Sequence, residues 1–83
     1  MADPKYRDVI TVINKILGSI PENQTGLIAE LETYRNEQLN QAPEIRVTSH
    51  CWIPLQHILL KNITELNDEW KENVCKIYNG TDK

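Results

Sequence analysis

Apolar residues recur along this chain at steps of three and four, in three blocks set apart by connectors that carry proline or glycine. In the first block, DPKYRDVITVINKILG, Tyr6, Val9, Ile10, Ile13 and Leu17 share one helical face, which Val12 and Ile16 widen. The β-branched residues would also suit a strand, but Asp8, Asn14 and Lys15 break strict alternation, so the pattern predicts a helix. Asp3 is a fitting cap for its first amides, and Pro4 suits the first helical position, where its missing N–H has no partner in any case. Gly18 is the expected stop, able to adopt a left-handed cap.

The second block, ENQTGLIAELETYRNEQLNQA, places Leu27, Ile28, Leu31, Tyr34, Gln38 and Leu39 on one narrow stripe in otherwise polar surroundings. Thr25 or Asn23 serves as its cap. Pro43 ends it, because the residue before a proline is driven out of helical geometry.

In the third block Leu55, Ile58, Leu59, Ile63, Leu66, Trp70, Val74 and Ile77 continue the same spacing without interruption. This predicts one long helix from Pro54 to Tyr78, released by Asn79-Gly80, with Trp52 and Ile53 folded over its entrance as a hydrophobic staple. The expected architecture is therefore all-α: a small antiparallel up-down bundle of three helices at about residues 4–18, 25–41 and 54–78, forming one domain over 1–83. At 1.5 Å per residue the third helix would run about 37 Å, against roughly 21–24 Å for the others. Its last turns should then project, presenting Trp70, Lys71, Lys76, Ile77 and Tyr78 as a partner-binding tip.

Composition narrows the function. An 83-residue chain with 25% charged and 40% hydrophobic residues is globular, but too small for a cleft between domains. The net charge of −3 disfavours nucleic acid. The acidity is concentrated in residues 23–44, where Glu30, Glu32, Glu37 and Glu44 face one Arg35; this reads as a solvated helix face, with a basic partner as the alternative. The polar opening MADPKYRD is no secretory signal, and no apolar run approaches the roughly 20 residues that span a bilayer. A cytosolic protein with reduced thiols is expected, so the sequons at Asn23, Asn62 and Asn79 read as chance matches or terminal Asn-x-Thr turns.

The chemically busy stretch is IRVTSHCWIPLQHILLKNI. His50, Cys51, His57 and Cys75 lack the paired spacing of zinc sites, and on one helix Cys51 and Cys75 would lie some 30 Å apart, too far for a shared metal or a disulfide. Cys51 with His50 or His57 as nucleophile and base lacks a glycine-rich oxyanion loop and a third orienting carboxylate. The three glycines are too scattered to cradle a phosphate. The residues point to a protein that acts by contact, without catalytic residues, cofactor or metal.

Taken in order, DPKYRDVITVINKIL, GLIAELETY, and IRVT leading into LLKNITEL resemble successive segments of the pediocin-like (class IIa) bacteriocin immunity proteins, over roughly residues 3 to 67. The resemblance implies a small cytosolic helical bundle with no catalytic activity, made by lactic-acid bacteria and streptococci that must survive their own bacteriocin. It implies action in the cytoplasm, peripheral at the inner face of the cell membrane. The partner it implies is the membrane-embedded sugar permease of the mannose phosphotransferase system with bound bacteriocin. In that family the C-terminal part is associated with discriminating one bacteriocin from another, which here corresponds to Trp70 to Tyr78. The family bundle usually has four helices and is commonly basic. A chain that reads as three helices and is acidic departs on both counts, and leaves a homodimer open as the way to complete four-helix packing. The alternative class is a small cytosolic adaptor or regulator that binds a soluble protein.

Overall fold

The computed structural model describes residues 7–80. Among them are five α-helices, α1 (Val9–Leu17), α2 (Thr25–Gln38), α3 (Pro43–Arg46), α4 (Ser49–Asn62) and α5 (Asp68–Asn79), with a 3-10 turn at Ile63–Glu65 and no strand. The all-α class is as the periodicity predicts. The helix boundaries differ from expectation most in three places, each for a local reason.

The first is the entry to α1. Asp8 is extended (φ −64°, ψ 126°), and its carboxylate accepts a hydrogen bond from the Ile10 amide at 2.9 Å. The cap is therefore Asp8, five residues after Asp3, and α1 begins at Val9. Asp3, Pro4 and Tyr6 lie outside the described residues. Gly18 closes α1 in right-handed geometry (φ −77°), not the left-handed form expected of it.

The second is the start of α4. Pro54 lies inside the helix, which begins five residues earlier at Ser49. Proline deprives the His50 carbonyl of its helical donor, but His50 is exposed, so water can supply one. The extra turn carries Cys51 and Trp52 into the core, each 4% exposed. Burial of Trp52 offsets the proline penalty. Ile53, expected beside it as part of a staple, instead faces solvent at 50% exposure.

The third difference has the largest consequence. The predicted 25-residue helix is broken by Leu66 and Asn67, both extended (ψ 151° and 169°). The Asn67 side chain accepts from the Trp70 amide at 3.0 Å, and Asp68 and Glu69 place negative charge in the first turn of α5, where the helix dipole favours it. Gly80, in the left-handed conformation (φ 79°), ends α5 as expected of Asn79-Gly80. Instead of projecting, α5 returns along α1. The longest dimension of the molecule is 33 Å, shorter than the expected rod.

The result is four longer helices around one core: α1 packs on both α2 and α5, and α2 packs on α4. Val9, Val12, Ile13 and Ile16 of α1 are fully buried at its centre, met by Leu27 and Leu31 from α2, Leu55 and Leu59 from α4, and Val74 and Ile77 from α5. Splitting the third block supplies a fourth helix within the chain, which removes the reason for a dimer that completes the bundle. Helix α2 ends at Gln38, three residues earlier than expected, and Leu39 turns out to solvent at 58% exposure. Gln24 caps α2 without a side-chain bond, in place of Thr25 or Asn23. Pro43 opens the short α3 after an extended Ala42 (ψ 149°), so it both ends one helix and starts the next.

Candidate functional site

Beneath α3 a polar cluster joins α2 to α4. The Tyr34 hydroxyl donates to the Cys51 carbonyl, and the Cys51 thiol shares its proton between Gln38 Oε1 (2.9 Å) and the Ile45 carbonyl (3.2 Å). Gln38 is the buried polar residue of α2, at 8% exposure, and this thiol is what satisfies it. Cys51 is thus a structural hydrogen-bond donor in the interior, while His50 and His57 stand exposed on α4. Cys51 and Cys75 are separate thiols, the first buried and the second exposed. Among the described residues no three His, Cys, Asp or Glu side chains converge on a point that would hold a metal ion.

Burial pushes the Tyr34 phenol up to about 12, and the neighbouring Cys51 and Glu37 add to the shift. With a folded value above the unfolded one, near 10, the phenol's contribution is intact below about pH 10. It is lost as pH rises towards 12, because the unfolded chain gives up its proton first. Melting temperature should therefore fall across that window, and less steeply in Tyr34→Phe. At neutral pH the same variant should cost about 0.5–1.5 kcal/mol by removing the hydrogen bond to the Cys51 carbonyl. Parallel slopes for the two proteins in thermal melts above pH 10 would exclude the phenol as their origin.

At the other side of α4 the surface changes character. Helices α4 and α5 diverge from the break at Leu66 and Asn67, leaving a groove of about 230 Å³. Leu59, Leu60, Ile63, Val74 and Tyr78 form its apolar wall, with Gln56, Cys75 and Asn79 at the rim. Among the described residues no charged side chain lines it. Leu60 stands at its edge with 60% exposure.

The residues expected to form a projecting tip are redistributed by the turn of α5. Ile77 is in the core at 5% exposure, because α5 points this side chain at α1. Tyr78 is half-buried, its ring meeting Trp52 edge-on at 5.3 Å between centroids, and burial raises its phenol above the ordinary value. Trp70 is half-buried at the opposite end of α5, beside Pro21, Asn23, Gln24 and Leu66. Lys71 is half-buried, and Lys76 is exposed and pairs with Glu72 at 3.1 Å. Trp70 and Tyr78 lie about 12 Å apart along the axis. Exposed on α5 are Asp68, Glu69, Glu72, Cys75, Lys76 and Asn79, and of its residues Val74, Cys75, Tyr78 and Asn79 line the groove.

The acidic face of α2 is partly neutralised from α4. Lys61 Nζ approaches Glu30 at 2.8 Å and Asn62 donates to the other carboxylate oxygen. Hydrogen bonds from Lys61 and then Asn62 hold Glu30 below the usual carboxylate range, and the same pairing raises Lys61. Asn62, the central sequon residue, is engaged in this bridge and donates to the Ile58 carbonyl as well.

No family model, curated protein or solved structure matches this chain. Among the described residues no helix is long and apolar enough to cross a membrane.

Sequence reasoning missed the groove because it treated the third block as continuous. The signal was present: Asn67-Asp68-Glu69 is a cap followed by first-turn acids, an N-terminus in its own right.

Proposed function

We propose that this protein confers immunity to a class IIa bacteriocin by contact from the cytosolic side, engaging the membrane-embedded sugar permease of the mannose phosphotransferase system once the bacteriocin has bound it. The observation that carries the reading is the separate C-terminal helix α5. It has its own caps at Asn67 and Gly80 and lies beside an apolar groove. The resemblance of residues 3 to 67 to the immunity family implies four helices and a C-terminal part that discriminates between bacteriocins. A set of four longer helices whose last member borders an apolar groove supports that reading. The contact residues are Cys75, Lys76 and Tyr78 on the α5 side of the groove. Trp70 and Lys71 act at the far end of α5, and Ile77 only anchors the helix.

The test is expression in a bacteriocin-sensitive strain challenged with a panel of class IIa peptides. Survival should rise against at least one of them, and Lys76→Glu should reduce that protection while leaving the melting temperature within a few degrees, since Lys76 is exposed. Killing unchanged across the whole panel would reject immunity and return the chain to the adaptor class.

A further inference from the structure

Between Gln38, the last buried residue of α2, and Cys51, the first of α4, the chain makes an excursion that buries nothing. Over residues 39–50 every side chain is exposed or half-buried, with Ile45 at 43% exposure. The larger apolar side chains of this stretch, Leu39, Ile45 and Val47, take no part in the core cluster. Its two ends nevertheless meet, because the Cys51 thiol donates to Gln38 Oε1 at 2.9 Å. A surface excursion of this length with joined ends is an Ω-loop, and the short helix α3 is its one regular turn.

Apolar burial does not hold this segment down, so polar contacts do. The Cys51 thiol reaches the Ile45 carbonyl at 3.2 Å from below. At the end of α3, Arg46 Nη2 lies 3.0 Å from Asp8 Oδ2, while Asp8 Oδ1 caps α1. The two side chains are 17% and 29% exposed, so the pair is partly screened from water. The guanidinium is incompletely served, however: Arg46 Nε is buried and has no hydrogen-bond partner. A desolvated donor without an acceptor costs free energy while the segment is down, and lifting returns it to water. The Thr48 hydroxyl bonds to the Ile45 carbonyl within the segment, so it moves with α3 and does not fasten it.

We propose that residues 39–48 form a flap, which lifts α3 off the Cys51 thiol as a local unit while the four longer helices stay packed, with the Arg46–Asp8 ion pair as its latch. Lifting takes the Ile45 carbonyl away from the thiol. It leaves intact the bonds that join α2 to α4 beneath, Cys51 to Gln38 and Tyr34 to the Cys51 carbonyl. The core cluster loses no member, since none of its residues lies in the flap. Regions that open at low cost are those with few buried apolar contacts, and this stretch has none. Entry of a thiol-reactive electrophile to the interior is therefore governed by one ion pair, and not by the stability of the bundle.

This inference does not depend on the immunity reading. It concerns the free chain, so a protein that protects cells while its Cys51 stays shut would remove the flap alone.

The experiment is alkylation of the full chain with iodoacetamide, read at each cysteine by mass spectrometry, with the exposed Cys75 as the internal reference. When opening and closing are fast relative to alkylation, the Cys51 rate reports how much of the chain is open. Raising urea to about 1 M should hardly change that rate, because the flap uncovers little apolar surface. Ile16→Val weakens the centre of the core, in α1 and outside the flap, and should leave the Cys51 rate unchanged. It would raise the rate about two- to tenfold if only unfolding of the whole chain exposed Cys51. Arg46→Gln should raise the rate about three- to fivefold, the scale expected of a partly exposed ion pair. Sodium chloride at about 0.5 M should speed the natural chain in the same direction and leave Arg46→Gln as it is. A Cys51 rate that climbs with urea as steeply as global unfolding, acceleration by Ile16→Val, or indifference to Arg46→Gln would each overturn the proposal.

Discussion

Replacing Trp52 with alanine is expected to lower the unfolding free energy by about 3–5 kcal/mol, about a quarter or more of what a domain of this length usually has. The size of the effect comes from how many elements meet on one side chain. Trp52 is 4% exposed on α4, and its indole Nε1 donates to the Arg7 carbonyl at 3.2 Å. The Arg7 guanidinium lies 5.5 Å from the ring centroid and donates to the carbonyls of Ile77 (3.1 Å) and Tyr78 (2.7 Å). Those carbonyls belong to the last turn of α5, where a cation is also favoured by the helix dipole. Tyr78 closes the set from the other side, edge-on at 72° to the indole. One aromatic ring thus ties α4, the segment entering α1 and the end of α5. Removing it leaves a cavity and strips two partners at once. The measurement is urea unfolding of Trp52→Ala beside Leu60→Ala, which alters the exposed side of the same helix and should cost less than about 0.5 kcal/mol. A loss below about 1 kcal/mol for Trp52→Ala would mean that α5 is held elsewhere.

The same residue shows what the sequence could and could not display. Helical class was legible because periodicity is a property of the chain itself: Val9, Val12, Ile13 and Ile16 are buried where the spacing puts them, and Leu27, Leu31 and Tyr34 likewise. The stop at Gly80 was legible for the same local reason, a left-handed glycine, whereas α2 starts at Thr25 behind a Gln24 cap that makes no side-chain bond. Trp52 was misplaced because Pro54 argues for a helix that starts after it, and the local cost of an interior proline is real. What overrode it is non-local: the core gains an indole and a thiol only if α4 starts early. The break at Leu66 and Asn67 escaped for the opposite reason. Two extended residues leave the three-and-four spacing of Leu66, Trp70 and Val74 undisturbed, so the pattern alone cannot separate one helix from two. The capping chemistry of Asn67 could. The groove between α4 and α5 exists only because of that break, so no reading of a continuous helix would have contained it.

Truncation after Asn67 is the second large effect, and it separates the projecting helix of the sequence pattern from the returning helix of the fold. A free tip would leave the melting temperature almost unchanged. The fold predicts instead that a chain ending at Asn67 loses cooperative unfolding altogether. Val74 and Ile77 are 1% and 5% exposed, and burying side chains of this kind contributes roughly 1.5–3 kcal/mol each. Trp70 and Tyr78 add part of their surface against the core, and Tyr78 covers Trp52. The sum lost is comparable with the whole stability of a small domain, roughly 0.05–0.15 kcal/mol per residue. The truncation also uncovers the side of α1 that α5 closes, on a helix whose Val9, Val12, Ile13 and Ile16 are fully buried, turning a full core into an exposed apolar face. Circular dichroism should show reduced helicity and a broad melt. Adding a peptide of residues 68–80 in trans should restore part of the signal, because its apolar face has a waiting partner on α1. A sharp melt within a few degrees of the full chain would place α5 outside the core and take with it the groove on which contact with a partner depends.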